Sequence, residues 1–271
     1  MSAVTPSVPK LDAPGRVTFP RVLLAEWTKF RTVRSTAWSL SIAILLTVAV
    51  PLIPAFVMLH HWNQHESIDA SPLDVALPGV YIAQLVIAVL GVLVITPEYS
   101  TGSIRSTFAA VPKRLPVLWA KLIDYALVSI ALMVPAVLVS FFETQAIVSG
   151  IPGLELSFSA PGVARCLLMA AVYVTLVGIF ALALGAIVRS TAAGISLFAA
   201  IFFVLPPLTF ALGSSWRDAI LKYLPSEAGR QIFALNHGSD TLSPLGGGFV
   251  FVCYCAVAIA IAAFFLRRRD V

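Results

Sequence analysis

Long apolar stretches, each about as long as a bilayer is thick, alternate along this chain with short polar segments. They occupy residues 37–59, 75–95, 117–142, 163–188, 192–212 and 245–266. Each reaches the roughly 20 residues with which a helix crosses a hydrocarbon core of about 30 Å. In lipid every backbone N–H and C=O must be satisfied within its own segment, so such runs fold as helices. The pattern predicts an all-α polytopic membrane protein, a single membrane domain over 1–271 with six transmembrane helices behind a flexible tail at 1–16.

Between the apolar runs two polar segments have a pattern of their own. Over 17–35, Thr18 is placed to cap a helix, Pro20 suits its first turn, and Leu23, Trp27 and Phe30 recur at i, i+4 and i+7. This spacing predicts an amphipathic helix lying along a membrane surface, with Arg21, Lys29 and Arg31 off its apolar stripe and Glu26 and Arg34 encroaching on it. Over 97–116, Pro97 bends the end of the second run, Gly102 allows a tight backbone, Ile104 and Phe108 share a face, and Pro112 and Pro116 end the piece that carries them. A short exposed helix is expected there. Residues 213–244 carry two further amphipathic pieces, 215–224 and 226–236, each opened by a serine suited to capping and expected in the opposite membrane interface.

Composition removes the soluble alternatives. With 59% apolar and 11% charged residues and a mean hydropathy of +0.94, the polar surface is too small to coat a water-soluble globule. The first run begins only at Ala37 and lacks a small-x-small cleavage pattern behind it, so it reads as a retained helix.

Charge sets the orientation. Of the 18 basic residues, 14 fall on alternate loops: Lys10, Arg16, Arg21, Lys29, Arg31 and Arg34, then Arg105, Lys113, Arg114 and Lys121, then Arg189, then Arg267, Arg268 and Arg269. Only Arg165, Arg217, Lys222 and Arg230 fall on the other side. Lysine and arginine are retained on the cytoplasmic face, so both termini are expected there. The net charge of +5 is explained by attraction to anionic headgroups, and no nucleic-acid partner is implied.

Candidate chemistry is sparse. No GxxxxGK[ST] phosphate loop occurs, and Gly246, Gly247 and Gly248 open an apolar run instead of following a strand. The four histidines, 60, 61, 65 and 237, lie outside the apolar runs and form no hydrolase constellation with a serine. His60, His61, His65, Glu66, Asp69 and Asp74 include metal-ligating types but read as a solvated acidic loop, and no metal site is assigned. Cys166, Cys253 and Cys255 fall at membrane depth without CxxC spacing, as small packing residues. Glu143 at a helix edge reads as a water-facing carboxylate. Asp124, one turn beyond Lys121, is placed for an i, i+3 pair. The scarcity of intramembrane carboxylates and of an internal repeat disfavours an ion-coupled carrier. Gly178, Ala181, Gly185 and Gly194 have a small-xxx-small spacing suited to close packing within the chain.

Two stretches resemble a known family. Glu26-Trp27-Thr28-Lys29-Phe30-Arg31-Thr32-Val33-Arg34-Ser35-Thr36 before the first run and Glu98-Tyr99-Ser100-Thr101-Gly102-Ser103-Ile104-Arg105 after the second are similar to segments of bacterial type-2 ATP-binding-cassette (ABC-2 type) permeases. The likeness extends over nearly the whole chain and includes the six-span count. It implies an exporter subunit of the bacterial inner membrane that is not itself an enzyme. Such a subunit pairs with a second permease copy, identical or related, and with cytoplasmic ABC ATPase subunits that bind ATP and magnesium, so no cofactor of its own is expected. The resemblance makes 17–35 the interface helix, with Leu23, Glu26, Trp27, Lys29, Phe30 and Arg31 as its candidate residues. It makes 97–116 the cytoplasmic coupling segment, with Glu98, Tyr99, Gly102, Ile104, Arg105 and Phe108 as candidate ATPase contacts, and 213–244 an outer re-entrant or interfacial element. A cargo that is apolar or amphipathic is expected from a lining of Leu, Val, Ala and Phe. A membrane anchor or signalling component paired with an ATPase, and a self-sufficient carrier, are the competing readings.

Overall fold

A computed structural model of the chain describes residues 17–61, 71–211, 214–235, 238 and 241–268. All regular structure among them is helical. The tail at 1–16, most of the histidine-bearing loop and Arg269 lie outside the described residues.

Helix α1 (Phe19–Thr32) starts at Thr18, whose backbone carbonyl accepts from Arg21 and Val22, while its hydroxyl caps nothing. It ends at Val33, where an extended backbone (φ −78°, ψ 119°) turns the chain into α2 (Arg34–His61). This is the first of six helices long and apolar enough to cross a membrane. Pro51 and Pro54 sit inside it without ending it.

The second apolar run is divided. A short α3 (Pro72–Ala76) stops at Leu77, and a new helix, α4 (Pro78–Leu93), begins with Pro78 in its first turn. Proline has no N–H to continue the preceding helix but suits the start of the next. A tight turn leads from α4 into α5 (Thr96–Ser100) and, past Gly102, into α6 (Ser103–Ala110).

The third span, α7 (Leu115–Val148), runs 34 residues. It extends six residues past the expected end at 142 and takes up the start of what reads as a loop. The fourth is α8 (Val163–Val188). The fifth, Thr191–Ala211, is composite: α9 (Thr191–Ala199), a π-helical segment Ala200–Val204, α10 (Leu205–Leu208) and a 3₁₀ turn Thr209–Ala211. In the widened segment Leu205 N–H reaches back to the Ala200 carbonyl, immediately before Pro206 and Pro207, which have no N–H to offer. The chain continues through α11 (Ser214–Leu221) and α12 (Pro225–Gln231) to the sixth span, α13 (Pro244–Arg268).

The second and fourth spans form the centre. Their apolar windows are 61% and 72% buried, against 22% to 39% for the other four. They meet at Gly91 and Gly178, where a Cβ on Gly91 would run into the Gly178 carbonyl oxygen. The third span closes on the same point, because Tyr125 fills the space beside Gly178 and donates its hydroxyl to the Ile87 carbonyl at 2.7 Å. Gly178 and Gly185 thus serve packing within the chain. Cys166 and Cys255 are buried, Cys253 is exposed, and none is bridged.

Two ends of the bundle can be told apart by their contacts. At one, Thr96 and Thr191 share a hydrogen bond of 2.7 Å, the Arg189 guanidinium lies 5.1 Å from the Tyr99 ring, and Arg114 donates to the Leu266 carbonyl at 3.1 Å. At the other, Ser140 donates to the Ala76 carbonyl at 2.8 Å and Arg165 to the Ala234 carbonyl at 2.9 Å. Arg230 stacks on Tyr81 there at 4.4 Å. Helix α1 and the end of α13 share the first end, as an even number of crossings requires.

The two pieces after the fifth span differ from each other. Helix α11 is amphipathic and exposes Trp216 and Ile220. Helix α12 is instead inserted: Ala228 and Gly229 are buried, Gly229 lies against the Tyr173 ring, and α12 touches the π-helical segment. Of the two alternatives expected for 213–244, re-entrant or interfacial, α11 is thus exposed while α12 is packed into the bundle. Its cap also differs, since Leu224 occupies the N-cap and Pro225 begins the helix, leaving the Ser226 hydroxyl buried without a partner.

Candidate functional site

At the first end a cluster of four charges joins three elements. Glu26 of α1 accepts from Lys29 one turn on, at 2.7 Å through Oε1, and from Lys121 of α7 at 2.6 Å through Oε2. Glu98 of α5 accepts from the same two amines through a single oxygen, Oε1, at 3.2 Å from Lys29 and 2.6 Å from Lys121. Carboxylates and ammonium groups alternate around a closed ring. Lys121 also donates to the Val94 carbonyl at 3.2 Å, and Lys29 to the Thr107 hydroxyl of α6 at 3.3 Å. Lys121 is 3% exposed and Glu26 4%. Burial at that level is tolerated only when charges are paired and further hydrogen-bonded, which is the arrangement present.

The local sequence explains how these groups meet. Helix α1 turns Val22, Glu26 and Phe30 inward, positions i, i+4 and i+8 of one face. Phe30 meets the Tyr125 ring edge-on at 6.3 Å, which fixes the depth of α1 against the third span. Pro97 and the turn before it bring Glu98 back over α7. Gly102, with φ +73°, adopts the left-handed backbone that starts α6 in a new direction. Ile104 and Phe108 then anchor α6 by their burial, with Arg105, Ser106 and Ala109 facing outward.

Lys29 is half-buried, and burial alone would lower its pKa. The Glu26 and Glu98 carboxylates outweigh that cost and hold it above the ordinary value of 10.5. A raised lysine contributes stability in full below its unfolded pKa, and the contribution fades as pH climbs through the folded value. Lys29 therefore keeps its charge throughout the physiological range.

A cavity of about 290 Å³ opens beside the ring, lined by Glu26, Lys29, Glu98, Thr107, Lys121 and Asp124 among others. Asp124 is buried, and its Oδ2 has no hydrogen-bond partner. The expected Lys121–Asp124 pair does not form, because the Lys121 amine is turned to Glu26 and Glu98. No family model matches this chain, and no curated protein does.

Of the residues singled out in the sequence, the structure brings Glu26, Lys29, Phe30 and Glu98 around one cavity and buries Ile104 and Phe108 in the apolar core. Trp27 and Arg31 point away from the bundle, Leu23 is half-buried, and Tyr99 is covered by Arg189. The apolar stripe read as Leu23, Trp27 and Phe30 is thus rotated by about one residue, with Trp27 39% exposed. Thr107 is a member of the site that pattern reading passes over, and Lys121 one that it pairs with Asp124 instead. The signal for them was Glu26 itself, a carboxylate on the face that buries Phe30, which demands a cation from another helix.

Elsewhere among the described residues no three His, Cys, Asp or Glu side chains gather as a metal site would need. His60 is exposed at the end of α2, while the His61 side chain, His65, Glu66 and Asp69 lie outside the described residues.

Proposed function

We propose that the chain is the membrane subunit of an ATP-driven exporter of the ABC-2 type, seated in a bacterial inner membrane. Its power comes from separate cytoplasmic ATPase subunits, which bind ATP and magnesium, and it works beside a second permease copy. One observation carries this reading: Glu26 and Glu98, from the two segments that resemble the family, are held by the same two lysines against the start of the third span. Segments far apart in the chain are thereby joined to one transmembrane helix, as a part that receives force from a partner requires.

Within this reading the candidate residues divide into two roles. Arg105, with Ser106 and Ala109 beside it, is the outward surface of α6 that meets the ATPase. Glu98, Ile104 and Phe108 hold α6 to the bundle, and Glu26, Lys29 and Phe30 do the same for α1. A displacement of α6 reaches α1 and α7 together, because packed elements tied by buried charges move as units. Trp27 and Arg31 are left for the membrane surface and its anionic headgroups. The cargo is apolar or amphipathic.

The test is reconstitution with an ABC ATPase subunit that co-purifies with the chain. In vesicles, export should require ATP, Arg105→Glu should weaken ATPase capture, and Glu98→Gln should retain capture while lowering transport per ATP hydrolysed. Transport that proceeds without ATP, or an ATPase that binds Arg105→Glu as well as the native chain, would sink the proposal.

A further inference from the structure

At the same end of the bundle lies a groove of about 880 Å³ formed where the start of α1, the α6–α7 connection, the first turns of α7 and the end of α13 come together. Its rim carries Lys113, Arg114 and Arg267, and no acidic residue among the described ones lines it. Its wall is apolar: Phe19, Trp119 and Ile123 are 41%, 46% and 36% exposed. From these features we infer that the groove binds an anionic glycerophospholipid of the surrounding bilayer, headgroup on the three cations and acyl chains along Trp119 and Ile123.

Charge complementarity is the first argument. A few residues away Lys29 and Lys121 each hold two carboxylates. Lys113 and Arg267 enter none of the ion pairs among the described residues. Lys113 and Arg267 on one concavity repel one another unless a counter-charge enters, and a phosphodiester supplies it at the depth where headgroups lie.

Shape is the second. Trp119 and Ile123 are four residues apart, so they share one face of α7 and step about 6 Å down the helix axis away from the cationic rim. That is the polarity sequence of a phospholipid, charge then indole then aliphatic, and an indole belongs at the boundary between headgroup and tail. Arg114 is set in place by its bond to the Leu266 carbonyl at 3.1 Å and by its position 5.5 Å from the Phe108 ring. Pro112 and Pro116 stiffen the connection on either side. The rim is therefore formed before a lipid arrives.

Quenching of Trp119 by lipids brominated on the acyl chain tests this in the full-length protein, with the Trp119→Phe protein measured in parallel to isolate the signal. Brominated phosphatidylglycerol should quench Trp119 well beyond brominated phosphatidylcholine at equal mole fraction. Lys113→Gln with Arg267→Gln should reduce that preference on the order of five-fold per charge removed. Arg114 is retained in that variant because it also bonds within the bundle. The equivalent change on the other side, Arg217→Gln with Lys222→Gln, should leave the preference intact, and raised salt should lessen it. Equal quenching by the two lipids, or a preference that survives loss of Lys113 and Arg267, overturns the inference. So does absence of quenching by either lipid, since the groove is then closed by a second copy or another protein.

Discussion

Single side chains decide how the first end of the bundle is held. Lys121 is the member with most to lose: it satisfies Glu26, Glu98 and the Val94 carbonyl at once. Lys121→Ala leaves the two carboxylates with the half-exposed Lys29 as their one remaining shared cation, and removing one partner of a buried pair costs about 3–5 kcal/mol. Thermal unfolding in detergent should register a loss of that order. Adding Glu26→Gln should return part of it, because a neutral amide no longer demands the ammonium. A wild-type melting curve for Lys121→Ala would show that water, not Lys121, satisfies the ring. Phe30 and Tyr125 add an apolar bolt beneath the charges, so loss of the ring should loosen α1 without freeing it.

Elements show which parts of the molecule were written in its pattern. All six spanning helices are legible from apolar run length alone, because a backbone in lipid has no alternative to internal hydrogen bonding. The π-helical segment, the division at Pro78 and the insertion of α12 were not, since each is a local answer to a proline or to a neighbouring helix. The rotation of α1 has a clearer cause. A stripe counted by hydropathy excludes Glu26, whereas in three dimensions a carboxylate with two cations is a buried residue like any other. Close packing of α4 on α8 was half legible: the small residues of the fourth span were evident, but not that Gly91 is their partner. Gly91→Ala places a methyl group against the Gly178 carbonyl oxygen. Overpacking of this kind costs about 1–3 kcal/mol, and the melting temperature should fall. At Gly102 a Cβ meets nothing, so Gly102→Ala should show only the strain of its left-handed backbone, roughly 1–2 kcal/mol. Equal melting of native protein and Gly91→Ala would mean that the two spans part easily.

On the scale of the whole molecule, burial divides the helices into two central ones and four peripheral ones. The peripheral first, fifth and sixth spans present broad apolar faces, including Ile53, Phe203 and Val257, as lipid or a second copy of the chain would require. Alternating contacts along the bundle place α6 and α11 at opposite ends. Cysteines introduced at Ser106 and Trp216, in a chain otherwise free of cysteine, should therefore react from opposite sides of the membrane. An impermeant thiol reagent applied to intact cells should label the Trp216→Cys protein and reach Ser106→Cys only after permeabilisation. Labelling of both from one side would remove the six-crossing arrangement, and reversed labelling would remove the cytoplasmic placement of α6.

The uninterrupted third helix has a mechanical meaning. At 34 residues it is about 51 Å long, well beyond the hydrocarbon thickness, with the Lys121 amine near one tip and the Ser140 bond to α3 toward the other. Pro135 lies inside it and has no N–H to give to the turn above. A rod gripped at both tips and softened at one interior point is a lever with a built-in fulcrum. A tilt at its charged tip would be carried to the far tip, and to α3 with it, less whatever bending Pro135 absorbs.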